Sequence, residues 1–251
     1  MNRYLLEACV DSVESAIVAQ EGGAERLELC SNLIIGGTTP GIKLFYEIQR
    51  NVSLPIRVLI RPRYGDFFYT KYEYEIMKQE VQMFHEAGAE GIVIGCLNAD
   101  GTLDMERITE LFKQSKDMKV TIHRAFDMVN DPMTAFLQLK ELGVDTVLTS
   151  GQRNHCLEGA DLIRKLVESA ENRVHILVGG GVNATVIEQM IERTGAKHFH
   201  MSGKETISSA MLYRNEDISM GLPCFSEYQM YRTSKQEIEK ARKAIVKASF
   251  I

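Results

Sequence analysis

Leu5-Leu6-Glu7-Ala8-Cys9-Val10, a helical run, and then Leu27-Glu28-Leu29-Cys30-Ser31 open the chain as one strand–helix–strand unit. Each strand is apolar except for one acid and one thiol two residues apart, Glu7 with Cys9 and Glu28 with Cys30. Side chains alternate across a strand, so in each copy the acid and the thiol share a face. The same rhythm continues outward from this unit. Apolar runs rich in β-branched residues recur at 4–10, 26–30, 56–61, 91–96, 119–124, 146–150, 174–179 and 197–202, with amphipathic stretches between them. Eight strands alternating with helices predict βαβ crossovers and a parallel sheet. Gly22-Gly23-Ala24, Gly88-Ala89, Gly143-Val144 and Gly195-Ala196 sit just before strands, where glycine can supply the left-handed helix stop. Asp11 with Ser12, Asp104 and Asn183 stand at the cap positions of helices. Repeated units without a linker fit an α/β fold of the closed (β/α)8 TIM-barrel type better than an open doubly wound sheet.

The length of 251 residues suits two small domains or one such barrel. We read residues 1–251 as a single domain, with the barrel core at about 4–203 and an extension over 204–251 that ends in a helix at 235–247. The part from 204 to 233 is rich in Ser, Met and Tyr, contains Gly221-Leu222-Pro223-Cys224 and shows no clear period. It is expected to cross the barrel mouth or to pack against a partner subunit. Hydrophobic content of 45% with 25% charged residues is the ordinary globular balance. A net charge of −5 without blocks of like charge points away from nucleic acid and anionic membranes. Met1-Asn2-Arg3-Tyr4 leads directly into a strand, and no apolar run approaches the roughly 20 residues of a membrane span. The expectation is a cytoplasmic protein. Its five cysteines are irregularly spaced and form no C-x-x-C pair, which argues against a zinc ribbon or a disulfide scaffold.

In a barrel, one face of each strand meets the helices and the other fills the interior. Taking the all-apolar parity as outward leaves Glu7 and Cys9, then Arg26, Glu28 and Cys30, facing in. Arg57, Leu59 and Arg61 share one parity, as do Thr121 with His123, and His198 with His200 and Ser202. Glu7, Glu28, Arg61 and His123 thus form a candidate catalytic set toward the C-terminal strand ends, where barrel enzymes place their chemistry. Two carboxylates near an arginine and a histidine can divide into a general acid and a general base. The expected arrangement has two tiers, carboxylates facing Arg61 and thiols at the rim above them. The alternative is an ion-pair network that merely plugs the barrel, since buried charges must pair whether or not they catalyse.

The loops extend both readings. Arg61-Pro62-Arg63-Tyr64-Gly65-Asp66-Phe67-Phe68-Tyr69 is either a recognition loop or a packed surface loop with solvated arginines. After the fifth strand, His123 and Asp127 can form an oriented base, or His123 can simply bond to backbone. Three turns follow strands six to eight: Ser150-Gly151-Gln152, Gly179-Gly180-Gly181-Val182-Asn183 and Ser202-Gly203-Lys204. Such turns beside a helix N-terminus commonly bind phosphate in barrels. The candidate anion-binding residues are Ser150, Gly151, Gly180, Gly181, Ser202 and Gly203.

At these residues the sequence resembles the CutC family of copper homeostasis proteins. The matching stretches are LLEACVDSVESAIVAQEGGAERLELCSNL, the GGTTP turn at 36–40, IRPRYGDFFYT, IHRAFDMVNDP, LTSGQ, LVGGGVN and FHMSG, running in order from Leu5 to Gly203. The turn reads GGTTP where the family more usually has GGLTP, and nothing after Lys204 carries a family motif. The resemblance implies a cytoplasmic (β/α)8 barrel, a homo-oligomer (dimer or tetramer), and a role in copper tolerance. Copper, as Cu(I), favours thiolate and thioether ligands. Cys9 and Cys30 match the family's cysteine positions and are the candidate metal ligands, although buried free cysteine also serves as a small hydrophobe. No organic cofactor is indicated. Two functions follow: a copper homeostasis protein with Cu(I) at Cys9 and Cys30, or an enzyme acting on a small anionic or phosphorylated metabolite.

Overall fold

The structure is a computed structural model that describes residues 4–220 and 225–248, so Gly221-Leu222-Pro223-Cys224 lies outside the described residues. Strands β1 (Leu5–Val10), β2 (Arg26–Leu29), β3 (Ile56–Leu59), β4 (Gly91–Ile94), β5 (Lys119–Ile122), β6 (Thr146–Thr149), β7 (His175–Val178) and β8 (His198–Met201) close into a parallel barrel. Around it run α1 (Val13–Glu21), α2 (Ile42–Asn51), α3 (Lys71–Glu86), α4 (Met105–Gln114), α5 (Pro132–Leu142), α6 (Ala160–Ala170) and α7 (Ala184–Thr194). The expected (β/α)8 architecture is therefore observed.

Local chemistry explains the boundaries. Ser12, Asp104 and Asn183 each accept a backbone N–H at the start of their helices, as their positions predict. Asp131 caps α5 with Pro132 as its first residue. Gly143 ends the same helix at φ 88°, a left-handed conformation that side chains rarely adopt. The outward parity holds: Leu6, Ala8, Val10, Leu27, Leu29, Val58, Ile60, Ile92 and Ile94 are fully buried in the core shared with the helices. Each of the Leu, Ile and Val side chains among them contributes roughly 1.5–3 kcal/mol on burial.

Strands β2 to β8 end one or two residues earlier than the apolar runs suggest, so Arg61, His123, Ser150 and Ser202 stand on the loops just above the barrel. The stretch after β8 is not irregular. Strands β9 (Lys204–Ser208) and β10 (Gln229–Thr233) form an antiparallel ribbon, with Lys204 opposite Thr233. The Thr233 N–H donates to Ser15 Oγ of α1 at 3.1 Å, and Ser234 N–H donates to Gly203 O at 2.8 Å. The ribbon thus leaves and rejoins the barrel at one point. Helix α8 (Lys235–Ala248) follows and packs against α7 and α1, closing the outer ring.

Candidate functional site

Register places the acids and thiols. Glu7 of β1 lies opposite Arg26 of β2 and His200 of β8, while Cys9 lies opposite Glu28. Glu7 consequently accepts from Arg26 Nε at 2.5 Å and pairs with His200 Nδ1 at 2.8 Å, with its side chain 1% exposed. One step higher, Cys9 Sγ donates to Glu28 Oε2 at 3.1 Å and lies 3.5 Å from Cys30 Sγ; Cys30 Sγ lies 3.6 Å from the same carboxylate oxygen. His200 spans the levels, its Nε2 being 3.7 Å from Glu28 Oε2.

The two tiers expected from parity are thus corrected. Glu28 and Cys9 share a level, and Glu7 lies beneath them among charges. Arg61 faces neither acid. Its guanidinium donates to the carbonyl oxygens of Gly36, Gly37 and Gly65 at 3.0, 3.0 and 2.7 Å. The cation that meets Glu7 is Arg26, a residue whose inward parity was readable but whose register partner was not.

Burial opposes ionisation of Glu7, yet the Arg26 guanidinium, then His200, hold its carboxyl well below the usual range. Glu28 goes the other way: burial pushes its carboxyl up, His200 offsets this in part, and nearby Glu7 adds to the rise. Burial alone would lower His200, but Glu28, together with its contacts to Cys9 and Glu7, keeps its imidazole well above the ordinary histidine value. The hydrogen bond with Cys30, followed by burial, raises the Cys9 thiol well above its usual value, and burial pushes Cys30 up to about 12. At neutral pH both thiols hold their protons.

This cluster forms part of the floor of a cavity of about 920 Å³ at the barrel mouth, which Cys9, Glu28, Cys30 and His200 line and Glu7 does not. Arg61, Phe67 and His123 form another part of its wall, and Gly180, Gly181 and Ser202 line it over β7 and β8. The ribbon supplies a further side through Lys204, Thr206, Met230, Tyr231 and Arg232. Of the two expectations for 204–233, its place at the barrel mouth is the one observed; its strands were not foreseen, because strands exposed along most of their length show no buried alternation. The loop after β3 is self-braced: Arg63 pairs with Glu73 at 2.6 Å and with Asp66 at 2.9 Å.

The expected His123–Asp127 pair is not made. His123 Nδ1 accepts the Ala125 N–H at 3.1 Å. Asp127 instead pairs with Arg124 at 2.7 Å and accepts the N–H groups of Ser150 and Gln152 at 3.0–3.1 Å. Thr149 Oγ1 receives the Gly151 N–H at 2.8 Å. The amides after β6 are therefore occupied by the chain's own oxygens, and neither Ser150 nor Gly151 lines the cavity. Gly203 does not line it either; its carbonyl ties down the ribbon's return.

Among the described residues, Cys9, Glu28 and Cys30 are the group whose donor atoms lie within 4.8 Å of one another in a metal-binding arrangement. Two thiols with one carboxylate suit a thiophilic ion better than a hard cation. The profile of the CutC family matches residues 4–205. The sequence is similar to the copper homeostasis protein cutC homolog of Homo sapiens, 44% identical over 239 residues that cover 94% of this chain and 87% of that one. It is 41% identical over 249 residues to a CutC family protein of Bacteroides fragilis strain YCH46, covering 98% of each. The crystal structure of the CutC protein from Streptococcus agalactiae superposes with a TM-score of 0.76 at 32% identity, over 79% of this chain and 98% of that one.

Proposed function

The chain belongs to the CutC family, and from that premise we propose that it is a copper homeostasis protein which binds Cu(I) as cargo through Cys9 and Cys30. The observation that carries this reading is the 3.5 Å separation of the two sulfurs at the base of an open cavity. Both can reach one ion with bonds near the length of about 2.3 Å found in metal–thiolate sites, without strand movement. Glu28 lies beside both sulfurs and accepts from Cys9, so it can relay to solvent the protons that the thiols release on metallation. The four described cysteines are free thiols, which suits a reducing compartment, and we place the role in the cytoplasm.

Competition for Cu(I) against a calibrated chelator tests this reading. The wild-type chain is expected to take one Cu(I), and a Cys9→Ser/Cys30→Ser variant to lose affinity by about 100-fold or more. Glu28→Gln should weaken binding by less, because it keeps both sulfurs. Unchanged affinity in the doubly substituted protein would remove the thiol site from consideration.

A further inference from the structure

The copper reading uses the thiol floor and leaves the rest of the cavity without a role. Three features there share one chemistry. First, His123 is 4% exposed and its Nδ1 is an acceptor, so the neutral ring carries its proton on Nε2. That N–H has no partner among the described residues, and a buried donor without an acceptor costs roughly 1–3 kcal/mol. Burial and the nearby Arg61 depress His123 to about 3, so the ring remains a neutral donor at physiological pH. Second, Arg61 Nε is likewise buried without a partner. Arg61 and His123 both pack on the Phe67 ring, at 4.9 and 4.7 Å, so Phe67 is the group that must yield to admit a ligand oxygen.

Third, Gly180 and Gly181 have φ of 89° and 79° just before α7, and the amides of Gly180, Gly181 and Val182 donate to no acceptor among the described residues. Successive free amides in this conformation make an anion-binding concavity, here continued by a helix N-terminus. A Cβ at Gly181 would lie 2.2 Å from the His155 ring, so the backbone is held close by its surroundings. Lys204 and Arg232 line the same cavity and have no carboxylate partner among the described residues, and Lys204 Nζ rests 4.5 Å from the Tyr231 ring centre. This contrasts with the turn after β6, whose amides Asp127 and Thr149 already fill.

We propose that the barrel mouth binds a phosphate monoester of a small ketone or aldehyde. Its phosphate sits in the Gly180–Gly181–Val182 amides beside Lys204 and Arg232, and its carbonyl oxygen accepts from His123 Nε2–H. The ring N–H, otherwise unpaired, gains an acceptor in the carbonyl oxygen, while the amide cradle and the two cations favour the dianion.

Calorimetric titration of the full chain with dihydroxyacetone phosphate, inorganic phosphate and dihydroxyacetone tests it. The ketone phosphate is expected to bind about tenfold or more tightly than inorganic phosphate, a difference expected for one hydrogen bond to an otherwise unpaired buried donor. Lys204→Gln/Arg232→Gln should weaken both phosphate probes, and His123→Phe should bring the ketone phosphate down to the level of inorganic phosphate. Absence of binding by either phosphate probe, or an unchanged ratio in His123→Phe, overturns the proposal. Should that variant not fold, the ring N–H signal of His123 in the wild-type protein decides: it moves with dihydroxyacetone phosphate and not with inorganic phosphate, and a signal unmoved by both overturns the assignment. The Cys9→Ser/Cys30→Ser protein separates the two sites, since it should lose copper and keep the ketone phosphate.

Discussion

Cys9 and Cys30 keep their protons because each is buried beside the other and beside a carboxylate. Copper must displace those protons, so apparent Cu(I) affinity should rise with pH, by about tenfold per unit for each proton released. Chelator competition at pH 6.5 and 7.5 checks this, and a flat profile would contradict thiolate ligation. His123 yields a prediction of opposite dependence in origin. Its folded value of about 3 lies below the ordinary 6.5, so the unfolded chain binds the extra proton between those limits. Stability is therefore lost as pH falls below 6.5, at about 1.4 kcal/mol per unit for one proton. Urea melts from pH 7 to 5 should show that slope reduced in His123→Phe relative to wild type; equal slopes would mean that the ring is protonated in the fold. Residue type and parity made Glu7, Glu28, Cys9, Cys30, His123 and His200 readable as inward groups. Their partners were not readable. Whether Glu7 meets Arg26 or Arg61 depends on the register between β1 and β2 and on where β3 ends, neither of which composition encodes.

At the scale of elements, the strands, caps and helix-stopping glycines were legible because each has a local cause. Asp127 shows the limit: three residues after His123 it looks like an orienting acid, yet the turn after β6 claims it with amides from another element. The β9–β10 ribbon was illegible for a different reason. It buries little on either face, so its sequence lacks the period that marks a half-buried strand. Because Ser234 N–H bonds to Gly203 O, the ribbon's two ends adjoin. Replacing residues 205–232 with a short Gly-Ser linker should therefore leave the barrel folded and Cu(I) binding intact, while removing the cavity wall that carries Arg232. Circular dichroism and the chelator titration read this directly. Loss of Cu(I) binding in a folded, ribbonless protein would place a copper ligand on the ribbon.

Over the whole molecule, the barrel is plugged by charge as well as by hydrocarbon. Arg57 bonds Thr121 and Thr146 at 2.6 and 3.0 Å and Glu90 at 3.0 Å, and Glu7 ties β1, β2 and β8 through Arg26 and His200. Removing one member leaves its partner charged and buried, so Glu7→Gln should cost about 3–5 kcal/mol by urea denaturation. A loss under 1 kcal/mol would mean that Arg26 finds other partners. The same plug leaves Glu28 and the thiols open to the cavity above it, which is why one barrel can hold a structural acid and a reactive layer one register step apart. The family profile ends at residue 205, so the ribbon side of that cavity, apart from Lys204, lies beyond the part shared with the profile. The central claim is the sulfur coordination of copper. X-ray absorption at the copper K-edge of the Cu(I)-loaded wild-type chain measures it most directly. The account predicts a first shell containing two sulfur scatterers that vanish in Cys9→Ser/Cys30→Ser; a shell of nitrogen and oxygen alone would contradict it.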